Sequence, residues 1–216
     1  MCNENSNTLL FDDCDNFKII FKILSLDNIS SCDDFNSIIN LLTNHPDPIR
    51  EAVAIKLEDY IEKHEKYFLN DFTINKILDS IIDINPNVSR AICNIISKSS
   101  KLSRVLENKI INRINDLISD LKKYEKLHND SFSNFKKITK NHAKNKLIFS
   151  LYWYLEALYE CLSNRFNEEI IEILKYTINF NNYTIREKTA KILTNLPAPP
   201  LELLQKAKSD QNFYVK

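Results

Sequence analysis

The chain has 216 residues, a formal net charge of zero, 44% hydrophobic residues and 27% charged residues. These proportions are typical of a globular protein and exclude both a largely disordered chain and a surface that attracts nucleic acid through its overall charge. Glycine is absent, whereas Asn occurs 27 times and Ile 29 times. An AT-biased genome accounts for this composition, yet phosphate loops and tight β-turns would have retained some glycine. The composition therefore favours helices joined by Asn, Asp, Pro and Ser turns.

The five cysteines indicate reduced thiols, because their number is odd and no two form a Cys-x-x-Cys spacing. Residues 1–8 are polar and are expected to be disordered, and the N-terminus lacks the basic region of a signal peptide. The longest apolar stretch, 147–162, is too short to span a bilayer. We therefore expect a cytoplasmic protein without membrane association.

Apolar residues recur at helical spacing in segments separated by short polar breaks. The first helix is expected within residues 9–26, with its apolar face formed by Leu10, Phe17, Ile20, Phe21 and Leu24. Helix pairs then surround three breaks, which are His45-Pro46-Asp47-Pro48, Asn85-Pro86-Asn87 and Asn181-Asn182-Tyr183. Pro48 suits the first turn of a helix, and Thr184 with Glu187 predicts a capping box.

The second helices of these three pairs align on Ile49, Val88 and Ile185. The residue five positions later is small in each copy, being Ala54, Cys93 and Ala190. Ile49 and Val88 lie 39 residues apart. A helix–turn–helix period of about 40 residues is typical of an α-solenoid.

The turns before these residues resemble those of HEAT repeats, where the motif Asp-x-x-Val-Arg precedes a small residue. The chain has Asp47-Pro48-Ile49-Arg50 before Ala52, Tyr183-Thr184-Ile185-Arg186 before Ala190, and a looser copy, Asn87-Val88-Ser89-Arg90. The resemblance covers residues 35–97 and 166–216. It implies an all-α fold, a right-handed α-solenoid of about four antiparallel helix pairs that forms a single domain over residues 9–216.

The middle of the chain departs from this pattern. Long helices are expected over residues 102–121 and 147–162. The Lys-rich stretch 123–146 between them is predicted to be a helical insertion, a loop with one short helix around Phe132 to Ile138. Near the C-terminus a helix follows Pro200, and Val215-Lys216 aligns with Ile185-Arg186. The last repeat is therefore expected to be incomplete, either as a cap or because the chain is a fragment of a larger repeat protein.

Two surfaces are candidate partner-binding sites. Segment 98–146 carries thirteen Lys or Arg residues against five Asp or Glu, which suits nucleic-acid phosphates or an acidic protein, although a solvated loop has the same composition. Aromatic residues that follow Leu151 lie off the leucine face of their helix and either form an exposed recognition site or pack against neighbouring helices. The candidate residues are Lys122, Lys123, Lys126, Lys136, Lys137, Lys140, Lys144, Tyr152 and Trp153.

No arrangement of residues predicts catalysis, a metal site or a cofactor. The four histidines lack metal-ligand spacing, and the single pair His64-Glu65 falls short of the several His-Glu pairs of HEAT-repeat iron hydroxylases. HEAT-like glycosylases need a catalytic Asp beside an aromatic groove, and the residues near Tyr152 offer only Glu156 and Glu160. We therefore expect a non-enzymatic scaffold that binds another protein, with nucleic-acid binding through 98–146 as the alternative.

Overall fold

The structure, a computed structural model, describes residues 15–27, 29, 31–126, 134–162 and 167–216, and for 126 and 134–141 it describes the backbone alone. As predicted, the regular elements in these ranges are all α-helices. They are α1 (Asn16–Leu24), α2 (Cys32–Asn40), α3 (Asp47–Phe68), α4 (Asp71–Ser80), α5 (Pro86–Ser97), α6 (Ser100–Lys126), α7 (Asn134–Cys161), α8 (Glu168–Thr177), α9 (Tyr183–Asn195) and α10 (Leu201–Lys208). The predicted disorder of residues 1–8 lies outside the described residues.

The chain divides into two compact units, Met1–Leu102 and Ser103–Lys216. In the first unit α3 packs against both α1 and α5, while α2 packs against α4. Contacts of α2 with α3, α3 with α4 and α4 with α5 connect these two sets. Two layers result, α1–α3–α5 and α2–α4. In the second unit α9 packs against α7, α8 and α10.

The predicted apolar faces of α2 to α5 are confirmed. Their side chains form the core of the first unit, including Phe35, Ile38, Ile49, Leu57, Ile77 and Ile96, all of which are fully buried. The helix α3 bends at His64, which has φ −127° and ψ 27°. Beyond this bend Phe68 is buried, with its ring centre 4.9 Å from that of Phe35.

The predicted first helix is confirmed over α1, but the apolar residues named for it do not form its buried face. Ile19 and Ile23 are buried, whereas Phe17, Phe21 and Leu24 are 75%, 68% and 49% exposed. The helix carries apolar residues on both sides, so helical spacing alone does not decide which side faces α3. Leu10, which was assigned to the same face, lies outside the described residues.

The predicted helical content of 123–146 is confirmed where the structure describes it, but the predicted loop is wrong there. The helix α6 continues to Lys126, and residues 134–146 form the first half of the 28-residue α7, so that no separate short helix stands at 134–138. Phe132 lies outside the described residues. The stretch is rich in Lys, which has a high helix propensity, and its polarity reflects a solvated helix instead of a loop.

Asparagine begins several of the helices. The predicted cap Thr184 is wrong, because the N-cap of α9 is Asn182, whose Oδ1 accepts from the Thr184 amide at 2.9 Å. Asn70, Asn85 and Asn167 cap α4, α5 and α8 in the same way. Asn44 adopts the left-handed conformation, with φ 66°, in the turn before α3. Asparagine therefore takes positions where glycine is common in other proteins.

Candidate functional site

Arg50 of the turn motif ties the start of α3 to the turn before α5. Its Nε and Nη2 donate to Asp83 Oδ2 and Oδ1 at 2.7 and 2.8 Å, and its Nη1 donates to the His45 carbonyl at 2.5 Å. Asp83 also accepts from the Asn85 amide at 2.7 Å, so this carboxylate shapes the turn that begins α5. The hydrogen bond to Asp83 raises the pKa of Arg50 above its usual value. We call Arg50 and Asp83 the Arg50 clasp.

The second unit contains a matching pair, Arg186 and Asp210, which we call the Arg186 clasp. Arg186 Nε and Nη2 donate to Asp210 Oδ2 and Oδ1 at 2.6 and 3.0 Å, and Nη1 donates to the Phe180 carbonyl at 2.8 Å. Asp210 accepts from the Asn212 amide at 2.8 Å. The hydrogen bond from Arg186 lowers the pKa of Asp210, so the carboxylate stays charged at neutral pH and its stabilising contribution is lost only in acid.

Each clasp ties the start of one helix to the turn that follows the next helix, and the two clasps use the same atoms. In each, a bidentate guanidinium–carboxylate pair fixes both distance and orientation, which a lysine cannot do. The HEAT-like turn motif includes both arginines, but the sequence did not single out Asp83 and Asp210, the carboxylates that they bind. Their shared signal is an Asp two residues before an Asn, as in Asp83-Ile84-Asn85 and Asp210-Gln211-Asn212.

Three glutamates of α3 form a ladder with side chains on and after α5. The contacts, spaced seven residues apart on each side, are Glu51 with Asn87 at 2.9 Å, Glu58 with Asn94 at 3.2 Å and Glu65 with Lys101 at 2.6 Å. Seven residues make about two helical turns, so Glu51 and Glu58 lie along one side of α3, and Asn87 and Asn94 lie along one side of α5. Lys98 also donates to Glu58, at 3.0 Å. The ladder therefore neutralises the first two lysines of the segment 98–146.

Lys188 of α9 is buried against α7 and pairs with Glu156. Its Nζ lies 2.5 Å from Glu156 Oε2 and 4.9 Å from the centre of the Tyr152 ring. Burial lowers the pKa of Lys188, but the hydrogen bond and charge of Glu156 outweigh it, so the pKa is raised and the ammonium stays charged. Lys188 occupies the position that Ala52 and Ala91 hold in α3 and α5. The second unit thus places a buried charge where the first unit has a methyl group.

Lys191, about one turn further along α9, makes the same kind of contact between an ammonium group and a tyrosine ring. Lys191 Nζ lies 5.5 Å from the centre of the Tyr159 ring. Burial and the charge of Glu156 raise the pKa of Glu160, while Lys191 and Lys188 act in the opposite direction. We call this set the α7–α9 seam. It comprises Tyr152, Glu156, Tyr159, Glu160, Lys188 and Lys191, and its two acids and two ammonium groups balance in charge.

The predicted basic patch is partly described. Lys122 and Lys123 are exposed at the end of α6. Lys122 Nζ lies 5.0 Å from the centre of the Tyr176 ring, and Lys123 Nζ pairs with Asp120 at 3.0 Å. The side chains of Lys126, Lys136, Lys137 and Lys140 lie outside the described residues. The described part therefore contains exposed lysines that already contact neighbouring side chains.

Lys144 of α7 lines an open cleft of about 430 Å³ beside the turn between α8 and α9. Glu125, Ile148 and Tyr183 contribute to the same cleft. Its walls carry both charges, so the cleft presents no field of one sign to a phosphate or a cation.

The two candidate aromatic residues, Tyr152 and Trp153, differ in their exposure to solvent. Trp153 is only 7% exposed, and its ring packs 5.3 Å from that of Tyr152. Trp153 is therefore buried and does not form an exposed recognition site by itself, while partner binding by these residues stays a prediction. Tyr152 is half-buried, with Lys188 over its ring.

Comparison with protein-family models, curated proteins and solved structures finds no match to the chain. Among the described residues, no helix is long and apolar enough to cross a membrane. In the same ranges, no group of three or more His, Cys, Asp or Glu side chains is placed to hold a metal ion. Cys93 and Cys161 are buried, and Cys32 is exposed.

Proposed function

We propose that the chain is a non-catalytic, cytoplasmic protein-interaction scaffold of HEAT-like helix pairs, arranged as a right-handed α-solenoid of about four pairs. The observation that carries the proposal is the recurrence of the arginine clasp, Arg50–Asp83 in the first unit and Arg186–Asp210 in the second. A repeated link between successive helix pairs is what a stacked array requires, because one pair cannot bury its apolar surface alone. The two helix layers of the first unit suit the same arrangement.

The polar chemistry of the described residues also supports a scaffold. The ladder and the α7–α9 seam bring carboxylates and lysines together, and Glu58, Glu65 and Glu156 are each paired with a lysine of the protein. A catalytic site needs groups that remain for the substrate and a place where a reacting atom can sit beside them. These clusters instead fasten one helix to the next.

Nucleic-acid binding through 98–146 is the second candidate, and the observation that favours it is the adjacent exposed pair Lys122 and Lys123. Phosphate binding releases counterions and depends on the number of lysines that neutralise phosphates. The pairing of Lys98, Lys101 and Lys123 with acids reduces that number. The protein-binding proposal is therefore the stronger one.

Affinity capture distinguishes the two candidates. The full chain is used as bait in an extract of its native cells, with and without nuclease, and both protein and nucleic acid are quantified. We expect a protein partner that is retained after nuclease treatment and that binds directly when purified. The matched bait Lys122→Glu/Lys123→Glu should retain it equally well. Recovery of nucleic acid alone, or loss of the partner on nuclease treatment, would contradict the scaffold and support nucleic-acid binding.

A further inference from the structure

An open cleft in the second unit is lined by the end of α6, the side of α7 and the start of α9. Its volume of about 430 Å³ lies within the range of pockets that bind small molecules. Glu125 comes from α6, Lys144 and Ile148 come from α7, and Tyr183 is the first residue of α9. Three helices of one compact unit therefore contribute to a concave surface large enough for a ligand.

The cleft has one charged side chain of each sign. Among the described residues that line it, Glu125 and Lys144 carry the formal charges, and no ion pair joins the two. Burial raises the pKa of Tyr176 on α8, and the charge of Glu125 adds to this effect, so this carboxylate lies near the Tyr176 ring. Lys122 Nζ lies over the same ring, 5.0 Å from its centre, and within the described part of the chain it forms no ion pair with Glu125. The cleft therefore offers a carboxylate on α6 and an ammonium group on α7 to a ligand.

The ammonium group lies on the side of α7 that packs against α9. Lys144 and Ile148 precede Tyr152 by eight and four residues, which places the three on one side of the helix. Tyr152 contacts Lys188 of α9, whose Nζ lies 4.9 Å from the ring centre. The start of α9, capped by Asn182, therefore shares this wall of the cleft with Lys144. Because the first turn of a helix carries partial positive charge, both groups favour a carboxylate here.

Other residues of the cleft offer apolar and amide surface. Ile148 is half-buried, and Asn181 and Tyr183 are exposed. A side-chain amide both donates and accepts hydrogen bonds, as a peptide group does. A metal ion or a phosphate would use one charge of the cleft and face repulsion from the other. A zwitterion that also carries apolar groups and a peptide group uses all of these surfaces.

We propose that this cleft binds a free dipeptide with large apolar side chains, with its carboxylate at Lys144 and its ammonium group at Glu125. A single amino acid carries both charges on one carbon atom, whereas Glu125 and Lys144 belong to different helices and do not form an ion pair. A dipeptide separates its charges by a peptide group, which Asn181 binds, and packs its side chains on Ile148 and Tyr183. The site is independent of the proposed scaffold function.

The test uses leucyl-phenylalanine, its N-acetyl form, which lacks the ammonium group, and its C-terminal amide, which lacks the carboxylate. Their affinities for the full chain, for Glu125→Gln and for Lys144→Gln are measured by isothermal titration calorimetry. We expect each blocked form to bind the unchanged chain about threefold to tenfold more weakly than the free dipeptide, because each loses one charge-assisted contact that solvent partly screens. Glu125→Gln should remove the difference between the free and the acetylated dipeptide, and Lys144→Gln should remove the difference between the free and the amidated one.

The matched control is Lys146→Gln, which removes an exposed lysine of the same helix from outside the residues that line the cleft. This variant should bind the dipeptide as tightly as the unchanged chain does. Three results would overturn the proposal. The first is no detectable binding of the free dipeptide. The second is equally tight binding of the doubly blocked N-acetyl amide, which assigns the cleft to an internal segment of a protein. The third is an equal loss of affinity in Lys144→Gln and Lys146→Gln.

Discussion

Replacing Arg50 by methionine is expected to lower the free energy of unfolding by about 2 to 4 kcal/mol. Methionine keeps much of the apolar stem but removes the guanidinium that holds Asp83. The side chains of Arg50 and Asp83 are only 12% and 9% exposed, so solvent cannot replace the lost hydrogen bonds fully. The His45 carbonyl loses its donor at the same time. Urea unfolding followed by circular dichroism measures the change.

The conservative and control variants make this prediction specific. Arg50→Lys keeps the charge but cannot make the bidentate contact, so it should lie between the unchanged chain and Arg50→Met. Arg90 is exposed and donates to Asn87 Oδ1 in its own helix, at 3.1 Å. Arg90→Met should therefore change the free energy of unfolding by less than about 0.5 kcal/mol. Equal effects at Arg50 and Arg90 would show that the Arg50 clasp contributes nothing to stability.

Replacing Glu156 by leucine is expected to destabilise the protein by about 3 kcal/mol, because it leaves the Lys188 ammonium buried without its counter-charge. The Lys188 side chain is 7% exposed and that of Glu156 is 19% exposed. Lys188→Met should therefore cost less, about 1 to 2 kcal/mol, because water can reach the remaining carboxylate more easily. The double variant Glu156→Leu/Lys188→Met should come within about 1 kcal/mol of the unchanged chain, since it removes both charges together.

Measurements at neutral pH report the whole contribution of this pair. The folded pKa of Lys188 lies above its ordinary 10.5, so the stabilisation is fully present below that value and is lost as the pH rises through the folded pKa. The control is Lys191→Met, which removes an exposed lysine from the same helix. A double variant that loses as much stability as the two single variants together would contradict a coupled buried pair.

Much of the fold could be predicted from the sequence because its signals are local. Helices α2 to α5 and α8 to α10 combine apolar residues at helical spacing with breaks at Pro or Asn. Each break both ends one helix and begins the next. Asn85-Pro86, for example, supplies a cap and a first-turn proline within two residues.

The two errors have different causes. Both sides of α1 are apolar, and the choice between them depends on α3, where Lys56 and Tyr60 hold its C-terminal end. Residues 134–146 were predicted to be largely a loop because polarity was taken to indicate irregular structure, although a solvated helix is equally polar. The first error therefore concerns packing between helices, and the second concerns the high helix propensity of Lys.

The side-chain clusters were harder still to foresee. Asp83 and Asp210 lie 33 and 24 residues from the arginines that they bind. Both stand in turns, where an Asp is usually interpreted as a helix N-cap. Lys188 stands at a position that is small in the other two copies, and only its contact with Glu156 on α7 accounts for its burial. The sequence contains these residues, but the pairing appears only when the helices are packed.

We propose that both units are built on one repeat and that the same arginine clasp occurs within each unit. Double-mutant cycles test it most directly, with Arg50→Met and Asp83→Asn in the first unit and Arg186→Met and Asp210→Asn in the second. We predict a favourable coupling energy of about 1 to 3 kcal/mol in each cycle. A coupling in one unit and none in the other would contradict the claim, because the two turns would then share a motif without sharing its structural role.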